Sequence, residues 1–254
     1  MTKPKTPKTV LITGASSGIG EALAIEYGSR GAHVALVARR EAELAVVAEK
    51  VMSRGGRATV IPCDVANDQA IFDAVRRGDQ ELGGLDMVIA NAGVGSSGHA
   101  STLKWQDTAR LIDVNIKGAF ATLSAAIPIF LAQQRGQLVG VSSLAGKRGL
   151  PTSGAYSASK AALSTFLETL RVDLRAAGIM VTDVQPGFVA TPINKSGNQG
   201  KPFLWTADKA ARVIATRLER APAVLSFPWP LALTTSMLRY LPAWLYDQIA
   251  RAVG

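Results

Sequence analysis

Short apolar runs alternate with longer stretches of helical period along this chain. Thr9–Thr13 is apolar without polar alternation and ends at a glycine-rich turn, the pattern of a strand buried on both faces. Similar runs follow at His33–Ala38, Ala58–Cys63, Asp86–Ala90, Gln137–Ser142 and Ile179–Gln185, with a seventh at Ala223–Phe227. Between them, helical periodicity covers Ile19–Arg30, Glu41–Arg54, Gln69–Glu81, Trp105–Gln134 and Ala155–Ala177. Buried strands alternating with helices predict βαβ units. Right-handed crossovers then give an α/β fold, a doubly wound parallel sheet of seven strands with helices on both faces. No linker, repeat or low-complexity run divides the chain, so residues 1–254 read as a single domain.

Composition narrows the class. Hydrophobic residues make up 48% of the 254, enough for a sizeable core and against global disorder. Cys63 is the only cysteine, which excludes an intrachain disulfide and a cysteine-based zinc site. His33 and His99 are too few for a metal cluster, so no metal is expected. A single cysteine fits a reducing, cytoplasmic setting. The first eight residues carry charges and prolines but no apolar run, unlike a signal peptide. The net charge of +9 is dispersed, without an aromatic-interleaved basic block, so nucleic acid is not an expected partner. A basic surface suits a polyphosphate-bearing cofactor, or simply solubility.

The chemistry-bearing positions fall at strand ends. Thr13-Gly-Ala-Ser-Ser-Gly-Ile-Gly20 follows the first strand and opens the first helix. There a turn can cradle a pyrophosphate on backbone N–H groups at a helix N-terminus. Gly14 permits the tight turn, Gly18 lets phosphates approach the backbone and Gly20 lets the helix pack closely; Ser16, Ser17 and Ile19 complete the loop. The spacing is not the dinucleotide G-x-G-x-x-G, and a turn needing positive φ is the plain alternative. The second strand ends in Leu36-Val-Ala-Arg-Arg40. An acid there would bind a ribose 2′-hydroxyl, but Ala38 stands in its place and Arg39 and Arg40 follow, which favours a 2′-phosphate and NADP(H) over NAD(H). Asp64-Val65 and Asn91-Ala92-Gly93 follow the third and fourth strands; taken singly, each is equally a turn former.

Tyr156 and Lys160 lie four residues apart, on one face of a predicted helix. A phenol titrates near ~10, and a neighbouring ammonium lowers that value, so the pair is suited to proton transfer. By itself so short a spacing recurs by chance.

These segments, with Asn115, Val141-Ser-Ser143, Pro186-Gly187, Val189 and Thr191, resemble the short-chain dehydrogenase/reductase family over nearly the whole chain and in family order. The resemblance implies a Rossmann-type fold and an NAD(P)-dependent oxidoreductase of the NADP-preferring branch. It implies Tyr156 as the acid/base, Lys160 as the group that lowers the Tyr156 pKa and bonds the nicotinamide ribose, and Ser143 as the hydrogen-bond donor to the substrate oxygen. Ser142 is the less favoured neighbour. Asn115 would hold a water linking Lys160 to solvent. Asp64 and Val65 would contact adenine, Asn91 to Gly93 the adenosine and ribose side, and Val189 and Thr191 the carboxamide and phosphates, with Pro186 and Gly187 also among the cofactor-binding positions. The implied substrate is a small carbonyl or alcohol, and the implied assembly a homodimer or homotetramer.

Substrate choice falls to less generic segments. Residues 192–205 read as a lid, with Phe203, Leu204 and Trp205 packing it onto the core in the favoured reading and lining an apolar pocket in the other. His99 lies in a second such loop, 93–99, where a solvated side chain is the plain reading. Residues 222–254 form a hydrophobic C-terminal segment. Ala221–Leu238 carries no charge, but Pro222, Pro228, Pro230 and Thr234-Thr-Ser236 argue against a membrane span. The segment is expected to pack on the cleft or a partner subunit; the alternative is interfacial contact, with Arg239 and Arg251 beside its Trp- and Leu-rich turns, and a lipophilic substrate. The expected function is that of an NADP(H)-dependent oxidoreductase interconverting a secondary alcohol and a ketone. The alternative from another class is a cofactor-binding regulatory protein with little turnover.

Overall fold

The computed structural model describes residues 6–95, 98–192 and 201–253. Nine strands are assigned among them: β1 (Thr9–Thr13), β2 (His33–Ala38), β3 (Arg57–Pro62), β4 (Met87–Ala90), β5 (Gly136–Val141), β6 (Ile179–Pro186), β7 (Val189–Ala190), β8 (Trp205–Thr206) and β9 (Val224–Phe227). Seven of them form one parallel sheet in the order β3-β2-β1-β4-β5-β6-β9. The helices are α1 (Gly18–Ser29), α2 (Glu41–Ser53), α3 (Asp68–Leu82), α4 (Trp105–Ile112), α5 (Ala119–Gln133), α6 (Gly154–Asp173), α7 (Ala207–Leu218), α8 (Trp229–Tyr240) and α9 (Ala243–Val253). The seven-stranded sheet is the one expected, with strand limits differing by about a residue.

Each face of the sheet has its own core, because successive strand residues point to opposite sides. Val10 and Ile12 join Leu23, Tyr27, Val47 and Ile214 beneath α1, α2 and α7. Leu11 joins Val75, Leu123, Phe130 and Leu167 beneath α3, α5 and α6. Local signals close the helices where the pattern stops. The Asn67 side chain accepts from Ala70 N at 3.1 Å to start α3, and Gly83, at φ 71°, ends it.

The expected single helix over Trp105–Gln134 is interrupted. Residues Asp113–Gly118 form a π-helical turn between α4 and α5. Asn115 within it is fully buried and bonds backbone outside the helix at Val94, a tertiary demand that periodicity does not register. The continuous run Trp105–Gln133 is, among the described residues, the one helix long and apolar enough to cross a membrane, and half of its most apolar window is buried in the fold. The uncharged tail forms β9 and the twelve-residue α8, as its prolines required: Pro230 sits in the first turn of α8.

Strand order reverses between β1 and β4, which puts a crevice at their carboxyl ends. The turn 13–20 and residues 91–95 both emerge there.

Candidate active site

The glycine-rich turn is held by the strand beside it. Thr13 Oγ1 accepts from the backbone N–H groups of Asn91 and Ala92, both at 3.1 Å, and Asn91 Nδ2 donates to Thr13 O at 2.9 Å. Gly14 (φ 68°) and Gly18 (φ 63°) occupy the left-handed region that glycine tolerates. Gly20 is fixed by space: a Cβ there would lie 2.2 Å from Gly14 O. Its close approach is to the turn itself, with Asn91 beside it, rather than to a strand. Ser17 caps α1 without a side-chain hydrogen bond, so the cap does not engage the first N–H groups of the helix. A Cβ on Gly18 would meet Thr191 at 3.1 Å, which places Thr191 over the turn. Ile19 packs on the core of that face.

The arginines after β2 divide. Arg40 Nη2 donates to Ser16 Oγ at 2.9 Å and Ser17 Oγ at 3.3 Å, joining the end of β2 to the turn. Arg39 lies 3.6 Å from the Asp64 carboxylate, both half exposed. Asp64 Oδ1 also accepts from Ala66 N. Val65 is buried in the core, where Gly118 packs against it.

The proton-transfer candidates meet across the crevice. Tyr156 and Lys160 are on α6, as the spacing predicts, with Lys160 Nζ 5.8 Å from the Tyr156 ring centre. Lys160 is buried and donates to Val141 O at 2.8 Å. A Cβ on Gly93 would sit 3.5 Å from the same Nζ, so the segment after β4 runs directly past it. Ser143 follows β5; its Oγ donates to Pro186 O at 3.4 Å, accepts from Ala145 N at 3.1 Å and reaches the Tyr156 hydroxyl. Gly187 N donates to Phe227 O at 2.7 Å, and Val189, in β7, is buried.

The electrostatics differ from expectation. Desolvation pushes the Tyr156 phenol above its ordinary value, with the Ser143 hydrogen bond working the other way. The same cause pushes Lys160 down to about 8, opposed by the Asp183 charge. Withdrawal from water therefore outweighs any attraction between ammonium and phenolate. Asn115 is also more engaged than expected. Its Oδ1 accepts from Val94 N at 2.8 Å, and its Nδ2 donates to Val94 O at 3.0 Å and Ser159 Oγ at 3.2 Å. The side chain thus ties the β4 loop to α6.

The cleft's far wall comes from the tail. A Cβ on Gly187 would lie 2.7 Å from Leu231 of α8. Lys147 Nζ donates to Ser236 Oγ at 2.7 Å, and Arg148 Nη1 to the carbonyls of Arg239 and Leu241 at 3.0 and 3.1 Å. Trp205 stacks on Phe227 with ring centres 4.9 Å apart, the packing role expected of it, whereas Phe203 is exposed. Residues 193–200, most of the expected lid, lie outside the described residues, as does the side chain of Arg251. His99 is exposed and caps the short turn Ala100–Thr102. No group of three or more potential metal ligands occurs among the described residues. A separate surface hollow of about 440 Å³, lined by His33, Arg57 and Glu81, involves none of the candidate residues.

Sequence reasoning passed over two contributors. Thr13 was read only as the start of a motif, and its hydroxyl anchors the turn. Asp183, a buried acid inside a strand, carried a signal in its residue type alone.

The chain is similar to known oxidoreductases in sequence and in fold. An uncharacterized oxidoreductase of Myxococcus xanthus is 45% identical over 96% of both chains. A 3-ketoacyl-(acyl-carrier-protein) reductase of Brucella melitensis, solved with NADH, superposes with a TM-score of 0.80 at 25% identity, covering 87% of this chain and 96% of that one. An alcohol dehydrogenase of the archaeon Thermococcus sibiricus, solved with 5-hydroxy-NADP, gives 0.78 at 26% identity, covering 87% and 94%. The family model for short chain dehydrogenases matches residues 8–202, and with a sheet, crevice and relatives that agree, the chain belongs to the short-chain dehydrogenase/reductase family of oxidoreductases.

Proposed function

We propose that this protein interconverts a ketone and a secondary alcohol, using NADP(H) in preference to NAD(H). The carrying observation is the meeting of the Ser143 and Tyr156 hydroxyls beside the buried Lys160, at the carboxyl ends of the strands. The turn 13–20 fits a dinucleotide: two left-handed glycines, a helix N-terminus without a side-chain cap and close packing at Gly20 leave backbone, not side chains, facing the crevice. Solved relatives hold NADH and 5-hydroxy-NADP, which supports a nicotinamide cofactor here. Bound there, it would supply or accept the hydride.

The residues of this chain do the rest. Tyr156 and Ser143 donate hydrogen bonds to the substrate oxygen, where negative charge grows during reduction. Tyr156 then gives its proton to that oxygen, and in the reverse direction takes it back. Lys160 holds the ribose side and supplies positive charge beside the phenol. The π turn at Asn115 keeps Lys160 within reach of a proton path. The preference for a 2′-phosphate is supported by Ala38, which leaves β2 without a terminal acid, and by the Arg40 guanidinium spanning Ser16 and Ser17. Arg39 and Asp64 border the adenosine side.

The test is Tyr156→Phe, assayed with NADPH against ketones of graded size. Turnover falls by about 10³-fold while NADPH affinity is kept; near-wild-type turnover overturns the proposal. Tight NADPH binding by the wild type with no turnover across the panel points instead to the regulatory reading.

A second reading concerns the tail. Trp229, Leu233, Met237 and Tyr240 follow one outward stripe of α8, with Trp244 beyond, and Trp229 and Tyr240 are 75% and 83% exposed. We read this face as one covered by a second subunit in a homodimer or homotetramer, with contact to a membrane interface as the other reading. Vesicle flotation of the wild type and of Trp229→Ser separates them: equal absence from the lipid fraction removes the membrane.

A further inference from the structure

Behind the crevice lies a buried acid that the mechanism above does not use. Asp183 stands opposite Gly140 in the β5–β6 ladder and is 5% exposed. Strand alternation places it on the face of Val181, which belongs to the core beneath α6, and a Cβ on its neighbour Gly140 would run into Leu167 of that helix. An acid in such a place requires partners. The Ser142 hydroxyl donates to Asp183 Oδ1 in a short hydrogen bond, and Gln185 Nε2 donates to Oδ2 at 2.6 Å. Ser226 Oγ of β9 donates to Gln185 Oε1 at 2.9 Å, which fixes the amide from its other end. The network spans β5, β6 and β9, and both direct donors are neutral.

Ser142 links this network to the site. On one side it follows Val141, whose carbonyl holds Lys160 Nζ; on the other it precedes Ser143, which reaches Tyr156. The bond from Ser142 to Asp183 therefore fixes the strand end from which both candidate groups are placed. We propose that Asp183 is a positioning residue of this site, pinning the Ser142–Ser143 strand end and placing a buried carboxylate on the sheet face covered by α6, the helix that carries Lys160.

The proposal rests on the reading of Tyr156 and Lys160 given above. Burial drives Lys160 toward the neutral amine, and Asp183 is the charge that opposes it. Other charged groups lie on the elements around α6, Asp107 and Arg110 on α4 among them, and Glu168, Arg171 and Asp173 lie on the last turns of α6, away from Lys160 in sequence. Tyr156 lies on α6 itself. Lys147, on the turn after β5, is bonded to Ser236 of α8 and is also attracted by Asp183. Asp113 and Lys117 of the π turn pair with each other.

The experiment is an NMR titration of the Lys160 ε-carbon in lysine-labelled protein, assigned by Lys160→Arg. It needs no substrate, so it stands even if the proposed reaction fails. The wild-type midpoint is expected at about 8. Asp183→Asn keeps the shape and removes the charge, and lowers the midpoint by about one pH unit. Asp183→Glu restores it. Ser142→Ala, which keeps the carboxylate, leaves the Lys160 midpoint in place but lowers turnover through Ser143. A folded Asp183→Asn that titrates with the wild type overturns the proposal. Should that variant not fold, Asp183→Ser, which also removes the charge and leaves a hydroxyl for Gln185, is titrated instead; a downward shift supports the proposal and an unmoved midpoint overturns it. In the reduction assay, the alkaline limb of the kcat/KM profile moves down with the same variants.

Discussion

The two walls of the crevice are built by different means. The cofactor wall, residues 13–20 with Asn91 to Gly93, is fixed by backbone: positive φ at two glycines, contacts a Cβ would destroy, and amides gathered on the Thr13 hydroxyl. The tail wall, α8 and the start of α9, is fixed by side chains reaching across long sequence separations, from Lys147 and Arg148 to Ser236 and to carbonyls near residue 240. The first wall leaves almost no freedom of residue type. The second tolerates change, since one lost contact leaves others in place. That difference suits a fold that keeps its cofactor while substrates vary.

Four substitutions test the contrast, and the cofactor wall is where the largest effect belongs. Gly20→Ala places a Cβ against the Gly14 carbonyl; it is expected to cost about 3 kcal/mol of stability and to weaken NADPH binding more than tenfold. Thermal unfolding and a fluorescence titration read both, and a variant that binds normally breaks the idea of a rigid backbone wall. Next is Arg40→Ala, which removes the guanidinium from Ser16 and Ser17. NADPH affinity drops by about tenfold, roughly 1.4 kcal/mol, and NADH affinity stays level. Equal losses for the two cofactors would show that Arg40 does not read the 2′-phosphate.

On the tail wall, Arg148→Ala gives up two bonds to carbonyls and its stacking on Tyr246, 4.4 Å from the ring centre. A loss of about 1 kcal/mol is expected, visible in denaturant melts, with cofactor affinity unchanged. A weakened cofactor would mean that the walls are coupled. The smallest effect belongs to the outward stripe: Trp229→Ser changes monomer stability by under about 0.5 kcal/mol. A larger drop, dependent on protein concentration, would reveal a subunit contact through this face.

Much of the site was legible because its requirements are local. Glycines at 14, 18 and 20 answer to turn geometry, and Tyr156 and Lys160 to the pitch of one helix. The missing acid at Ala38 needed only the end of a strand to be located. What stayed hidden depends on groups distant in sequence. The π turn at Asn115 exists because Val94 and Ser159 claim its amide. The burial of Val65 against Gly118 likewise joins positions far apart in sequence.

The sequence by itself determined the alternation of strands and helices, the single parallel sheet, the cofactor turn and the candidate set Ser143, Tyr156 and Lys160. Periodicity, turn chemistry and helical pitch are short-range properties that residue types declare. Only the tertiary structure decided the charge balance. Burial raises the phenol and lowers the amine, and Asp183, from another strand, acts against the second shift. Desolvation and long-range attraction depend on what surrounds a group in space, which spacing along the chain does not encode.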